Sequence, residues 1–147
     1  MAKNISIIIF LLIFKLTGQS VPFFDGGLAM EYLIKQCEFG PRYPGSKAHT
    51  EIAKYFEDFL SPLADDLLVM REVIKHPYQD TNLTLINLEA RFNPLFENRI
   101  LILAHWDTRE FADMDSDPKN HKLPILGAND GASGISILMV LAEILHE

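Results

Sequence analysis

Two short polar clusters near the end of the sequence hold the residues best suited to chemistry. His105 and Asp107 follow the apolar run 100–104, and Asp130 follows Gly127-Ala128-Asn129. Side chains two positions apart in an extended chain point to the same side, so His105 and Asp107 can face one cleft. A neutral imidazole binds zinc well and usually donates its other N–H to a carboxylate. The clusters therefore predict a metal site, with His105 and Asp130 as ligands and Asp107 as the partner of the histidine.

Each cluster also has a purely structural interpretation, which the sequence leaves open. A histidine and an aspartate at a strand end often form only a local hydrogen bond, and an aspartate before a helix is most often an N-cap. The small residues from Gly131 to Gly134 favour the metal site, because they let the backbone and ligands approach closely. The apolar run before the first cluster and the helix start after the second favour it as well.

The elements that must position these clusters are those of an α/β fold. The Ile/Leu run within 99–104 predicts a strand buried on both faces. The apolar stretch from about Gly131 to His146 predicts a helix that packs on the sheet. In open α/β sheets, ligands bind beyond the carboxyl ends of the strands, where both clusters would lie. The 19 residues from Thr108 to Leu126 are long for a connection and predict a solvated lid over the cleft.

Two helices are predicted in the first third of the chain, as packing elements. Apolar residues at helical spacing indicate the first helix at about 27–37, with Asp25 as its cap. The second helix is predicted between its cap Ser46 and the dipeptide Ser61-Pro62, which ends it. His49 lies at the start of this helix and is expected on the surface.

A loop and a β-hairpin complete the predicted elements. The sequence FGPRYPGS at 39–46 predicts a loop, in which Pro44-Gly45 suits a type II turn. Arg42 in this loop can reach a carboxylate, although a rigid connector is the preferred interpretation. Residues 67–76 and 82–92 predict two antiparallel strands.

Composition excludes several classes of protein. The 147 residues leave room for one domain. The formal charge is −7, and it becomes −9 without residues 1–20, which hold two lysines and no acid. Such an acidic surface argues against a nucleic-acid partner. The single cysteine, Cys37, excludes an intrachain disulfide and is expected to be buried and inert. Any zinc must therefore use histidine and carboxylate ligands.

Residues 1–20 have the pattern of a secretory signal peptide. Lys3 precedes the apolar run from Ile5 to Phe14, and Gly18 and Ser20 supply small residues at a cleavage site. The run is shorter than a transmembrane span. We therefore expect export to the periplasm or the medium, with 21–147 as the catalytic portion. An uncleaved membrane anchor is the alternative, and this segment would then be the protein's only contact with the membrane.

The motifs resemble those of a known superfamily. The segments LILAHWDTREFAD and PILGANDGASG, together with FGPRYPGS, resemble the zinc-dependent aminopeptidase and glutaminyl cyclase superfamily. The similarity is greatest to bacterial glutaminyl-peptide cyclotransferases and runs from about Asp25 to the end of the chain. The resemblance implies a mixed, mostly parallel sheet sandwiched by helices, in a zinc-exopeptidase-like α/β fold.

The resemblance also implies roles for individual residues. Asp130 matches the metal-binding aspartate of both branches of the superfamily. His105 matches a histidine that binds the second metal in two-zinc aminopeptidases and lies near the metal without binding it in one-zinc cyclases. Asp107 matches the catalytic-site aspartate that orients this histidine. The candidates for contact with the substrate are the neighbouring residues Trp106, Thr108 and Arg109.

Three functions follow from the resemblance as alternatives. The first is a one-zinc glutaminyl-peptide cyclotransferase that converts the N-terminal glutamine of peptides to pyroglutamate and releases ammonia. The second is a two-zinc aminopeptidase that hydrolyses N-terminal residues, and the third is a non-catalytic or truncated relative. The superfamily also needs a glutamate pair, a later acidic residue and a distant histidine. Because the chain stops at Glu147, within an apolar helical pattern, we expect it to be the N-terminal part of a longer enzyme. Residues 21–147 in isolation are expected to fold poorly and to be inactive.

Overall fold

A computed structural model describes residues 21–147, and the predicted signal peptide lies outside them. The helices and strands in chain order are α1 (Gly26–Glu38), α2 (Lys47–Leu60), β1 (Asp66–Lys75), β2 (Asn82–Arg91) and α3 (Ser133–His146). A short 3₁₀ turn, Pro118–Asn120, lies in the long loop, and a kinked π-helical turn, Ala128–Ala132, precedes α3.

Both N-terminal helices begin at the predicted caps. The Asp25 carboxylate accepts hydrogen bonds from the backbone N–H groups of Gly27 and Leu28. The Ser46 hydroxyl accepts one from the N–H of His49. Each bond satisfies a donor that has no partner within the helix, which is why these side chains fix where the helices begin.

Strands β1 and β2 form the predicted antiparallel pair. Asp66 lies opposite Arg91, and Lys75 lies opposite Asn82 at the turn end. Helix α2 is strongly amphipathic and contacts both strands. The core that results is a cluster of buried apolar side chains, namely Ile52, Ala53, Phe56, Ile86, Trp106 and Met139. The predicted site therefore adjoins the core, because Trp106 belongs to both.

Ile52 tests how tightly this core is packed. Its side chain is fully buried among the residues of the cluster. Replacing Ile52 with valine removes one methylene group, which should lower the free energy of unfolding by about 0.5–1.5 kcal/mol. Denaturant unfolding at constant m-value measures this loss. If Ile52→Val is as stable as the native protein, the core around Ile52 is loosely packed.

The prediction of a buried strand at 99–104 is wrong for this structure. Residues 100–103 form no strand pairing, and their exposed fractions lie between 53% and 90%. A cavity of about 370 Å³ lies between this segment and β2, with Ile86 and Asn87 on one side and Leu103 on the other. Among the described residues, none pairs its backbone with 99–104 in a sheet. Among residues 21–147 the sheet consists of β1 and β2 alone, so the parallel part of the predicted mixed sheet does not occur among them.

Helix α3 packs against α1 through polar contacts inside an apolar interface. The Tyr32 hydroxyl donates to a Glu143 carboxylate oxygen at 2.6 Å, and burial raises the pKa of Tyr32. The Gln36 amide nitrogen donates to the Ala132 carbonyl and the Ser136 hydroxyl. Within the described residues, the helical stretch that includes α3 is long and apolar enough to cross a membrane, and a third of it is buried in the protein. A core helix has the same features.

Candidate metal centre

A break in the helical backbone places the Asp130 side chain. Gly127 has a φ of +64° and Gly131 a φ of +108°, and Asp130 between them is non-helical. Helix α3 then begins at Ser133 with no side-chain cap. The N-cap interpretation of Asp130 is therefore wrong. Its side chain is 74% exposed and points instead to His105.

Three atoms surround the imidazole of His105. Its Nε2 lies 3.0 Å from the Asp130 Oδ1, and its Nδ1 lies 3.2 Å from the Asp107 carbonyl oxygen. The Asp107 carboxylate is farther away, at 3.6 Å from Nδ1, which is too long for a direct hydrogen bond. Asp107 therefore contacts the histidine through its backbone and not, as predicted, through its carboxylate.

This arrangement leaves room for a proton or a metal ion between His105 and Asp130. A carbonyl oxygen only accepts hydrogen bonds, so the Asp107 carbonyl favours the tautomer of His105 that has its hydrogen on Nδ1. In the neutral imidazole, Nε2 then presents a lone pair to a carboxylate oxygen 3.0 Å away. Two acceptors at this distance repel each other unless a proton or a metal ion lies between them.

The geometry suits zinc as that cation. Two ligands of one tetrahedral zinc, each about 2.0–2.1 Å from the ion, lie about 3.3 Å apart. Imidazole nitrogen and carboxylate oxygen are both zinc ligands. Across residues 21–147, no group of three or more His, Cys, Asp or Glu side chains converges on one point. Within 21–147, His105 and Asp130 are the closest pair of candidate ligands at this place, and their binding of a metal stays a prediction.

The buried Arg42 joins the two parts of the site. We call residues 105–108 the His105 segment and residues 127–132 the Asp130 segment. The Arg42 guanidinium donates to the Trp106 carbonyl at 3.1 Å and to the Gly127 carbonyl at 2.8 Å. It also donates to the carbonyls of Gln36 and Gly40. These acceptors are all backbone carbonyls, so the rigid-connector interpretation is confirmed and the predicted contact with a carboxylate is not found. Desolvation lowers the pKa of Arg42.

Two of the predicted substrate-contact residues are buried. Trp106 stacks on the ring of His49 at 4.4 Å and meets the ring of Phe56 edge-on at 5.9 Å. The Thr108 hydroxyl accepts a hydrogen bond from the backbone N–H of Arg42 at 2.9 Å. In this structure Trp106 thus packs in the core, and Thr108 links the His105 segment to Arg42. Their contact with a substrate stays a prediction.

The third, Arg109, lies where the long loop begins. Its exposed side chain pairs with Asp113, and its carbonyl accepts a hydrogen bond from Ile125. A second backbone bond joins Ala112 to Leu123, so the two limbs of the loop are tied together near the site. Most of the loop is exposed, in agreement with the predicted solvated segment. A lid function for it, and a substrate contact for Arg109, stay predictions.

His49 is a residue whose place the sequence did not indicate. It is almost fully buried against Trp106, so the prediction of a surface histidine is wrong. Burial lowers its pKa, and the nearby Asp107 opposes this shift. Its position one turn into α2 gave a weak signal, because Ile52, Ala53 and Phe56 follow it on the buried face.

The buried His49 predicts a loss of stability in mild acid. Its pKa is lower in the folded protein than in the unfolded chain, where it is about 6.5, so the unfolded chain takes up the proton first. Stability should therefore fall as the pH drops below about 6.5. In His49→Phe, which keeps the aromatic stack, thermal unfolding should depend less on pH in this range. His121→Gln, a change in the exposed loop, is the control. An unchanged pH dependence in His49→Phe would contradict the assignment.

The chain is similar to one peptidase family and to several solved structures. Residues 85–147 match peptidase family M28. The chain is similar to a leucine aminopeptidase precursor from Bacteroides thetaiotaomicron, with 38% identity and a TM-score of 0.81, over 86% of this chain and 43% of that chain. A glutaminyl cyclase from the same organism, bound to N-acetylhistamine, gives the same values. A Zn-dependent exopeptidase from Parabacteroides distasonis is 33% identical, with a TM-score of 0.81 and the same coverage. No curated protein sequence matches the chain significantly.

These matches confirm the resemblance and the fold class that the sequence predicted. The chain spans 43% of the length of each of the three structures. Residues 85–147 thus match peptidase family M28, and the α/β fold of the chain is similar to that of bacterial glutaminyl cyclases and zinc-dependent exopeptidases.

Proposed function

We propose that the protein carrying this chain is a zinc-dependent glutaminyl-peptide cyclotransferase. The observation that carries the proposal is the approach of the Asp130 carboxylate to within 3.0 Å of the His105 Nε2. Similarity to bacterial glutaminyl cyclases supports the same reaction. Because the chain spans less than half the length of those structures, the activity is proposed for the whole protein.

The reaction would close a ring within the substrate. The α-amine of an N-terminal glutamine attacks the carbonyl carbon of its own side chain, the bond to the amide nitrogen breaks, and ammonia leaves with the transferred proton. Zinc, when bound, would supply the Lewis acid that polarises this carbonyl. Asp130 is the residue of this chain that would hold it, and His105 would lie beside the metal, as the resemblance implies for a one-zinc cyclase.

Asp107 has a supporting role in this proposal. Its carbonyl oxygen lies 3.2 Å from the His105 Nδ1, so it would hold a hydrogen on Nδ1 and leave the Nε2 lone pair facing Asp130. Partners that fix the tautomer of a histidine at a metal site orient its ring in this way. The Asp107 carboxylate remains about half exposed beside the imidazole.

A two-zinc aminopeptidase is the second candidate function. It is favoured by the same short distance, because His105 and Asp130 would both bind metal in that enzyme. It is also favoured by the similarity to a leucine aminopeptidase precursor and a Zn-dependent exopeptidase. The reaction would then be hydrolysis of the N-terminal peptide bond by water, with no ring formed.

One experiment separates the two functions. The protein as its gene encodes it is loaded with zinc and given a Gln-initiated peptide and a Leu-initiated peptide. A cyclotransferase removes ammonia from the first peptide and leaves the second intact, with one zinc per chain. An aminopeptidase releases free leucine, with two zinc ions per chain. An N-acetylated glutamine peptide is the control, since it lacks the attacking amine. If neither peptide changes, both functions are rejected.

Export belongs to the same proposal. Residues 1–20 have the pattern of a signal peptide, and peptide substrates with a free N-terminus would then be met in the periplasm or the medium. N-terminal sequencing of the protein recovered from each cell fraction tests this. A mature protein that retains Met1 in the cytoplasm would contradict it.

A further inference from the structure

Arg42 is buried between the His105 segment and the Asp130 segment of the candidate metal centre and contacts both. Its side chain is fully buried among the described residues, although it carries a charge. Arginine is almost never fully buried unless its donors are satisfied. Here the guanidinium makes four hydrogen bonds, all to backbone carbonyls. Because these four bonds satisfy the buried guanidinium, Arg42 holds the backbone carbonyls around it in place.

Two of these four bonds reach the ligand-bearing segments. The Nε donates to the Trp106 carbonyl, one residue after His105, and an Nη donates to the Gly127 carbonyl, three residues before Asp130. These two segments are 21 residues apart along the chain, between Trp106 and Gly127. The planar guanidinium therefore spans them with donors in a fixed fork.

The backbone of Arg42 strengthens the first of these links. Its N–H donates to the Thr108 hydroxyl at 2.9 Å, and its carbonyl accepts from the Thr108 N–H at 3.4 Å. The Gly127 carbonyl also accepts from the Ala132 N–H at 3.2 Å, so the same oxygen anchors the break before α3. Each segment is thus tied to Arg42 at a backbone atom close to its ligand.

We propose that Arg42 is a positioning residue, whose buried guanidinium sets the separation of His105 and Asp130 by binding the backbone of both segments. Its relevance to metal binding rests on the proposed function, but its effect on the two segments does not. The ligand it prepares for is a divalent cation of the zinc type, held by the Asp130 carboxylate with the His105 imidazole beside it. The hydrogen bonds of its guanidinium end on backbone carbonyls and not on the side chain of His105 or Asp130.

The first test measures the backbone without any metal. Arg42→Lys keeps the charge but places its donors at one point, so it cannot reach both carbonyls. In the whole protein we expect faster amide hydrogen exchange at Thr108 and Ala132 than in the native protein. Ile52→Ala is the control, because it destabilises the core without removing a hydrogen bond to either segment. Exchange at these two amides that is no faster than in Ile52→Ala would overturn the proposal.

The second test measures zinc affinity by competition with a chelator. Partners that orient metal ligands typically change metal affinity by about 10–100-fold when mutated, so a loss in this range is expected for Arg42→Lys. Ile52→Ala should retain the native affinity, and equal affinities in the two variants would overturn the proposal. If the native protein fails to bind zinc, the proposed function fails, while hydrogen exchange still decides the role of Arg42. If Arg42→Lys does not fold, Arg42→Gln, which is uncharged and too short to reach both carbonyls, replaces it in both tests.

Discussion

Replacing Asp130 with asparagine should abolish tight zinc binding while leaving the fold intact. Mutation of a residue that only supports a metal ligand costs about 10–100-fold in affinity, so loss of a charged ligand should cost more than about 100-fold. The side chain is 74% exposed and caps no helix, so the free energy of unfolding should change by no more than about 0.5 kcal/mol. Zinc titration and thermal unfolding of the same preparation measure both quantities.

The matched control for this prediction is Asp80→Asn. It removes the same charge from an exposed aspartate, which pairs with Lys75 at the turn between β1 and β2. Zinc affinity should not change in this variant. If Asp130→Asn binds zinc as tightly as Asp80→Asn does, then Asp130 is not a ligand, and its approach to His105 is only a local hydrogen bond.

Elements with strong local signals were predictable from the sequence. Asp25 and Ser46 each have a side chain that caps a helix, and Gly45 has a φ of +94° in the predicted type II turn. The hydrogen bonds that define these features span only a few residues, so the sequence around them contains the necessary information. The two predicted strands paired for the same reason, since a short turn joins them.

The segment at 99–104 shows where this reasoning stops. An unbroken Ile/Leu run favours a strand that is buried on both faces, but a strand also needs neighbouring strands to pair with its backbone. Those partners are remote in sequence, and none among residues 21–147 pairs with 99–104. A local pattern therefore indicates which structure these residues favour, but it cannot supply the pairing that the structure requires.

The candidate site was predictable in its residue types but not in its connections. The small residues around Asp130 indicated a close approach, and the structure confirms it, since a Cβ on Gly131 would lie 3.1 Å from the Asp107 carbonyl oxygen. The buried positions of Arg42 and His49 were not indicated. Charged and imidazole side chains are usually exposed, and only long-range contacts reveal the exceptions.

Gly127 offers the second large effect, because it combines a special backbone conformation with a crowded position. Its φ of +64° is left-handed, and an added Cβ would lie 2.4 Å from the Thr108 Cγ2 and 2.6 Å from the Asp130 carbonyl oxygen. Strain and overpacking together should lower the free energy of unfolding of Gly127→Ala by about 2–5 kcal/mol. Because relief of the clash must move one of the two segments, zinc affinity should fall as well.

Gly40→Ala separates the two causes of this loss. Gly40 has a φ of +85°, but an added Cβ would meet no atom within 4 Å. This variant should carry the strain alone, with a loss of about 1–2 kcal/mol and native zinc affinity. Chemical denaturation and zinc titration of both variants give the comparison. Equal losses of stability would mean that the contact of Gly127 with Thr108 is not tight. If Gly127→Ala keeps the native zinc affinity, the clash is relieved without moving the Asp130 carboxylate.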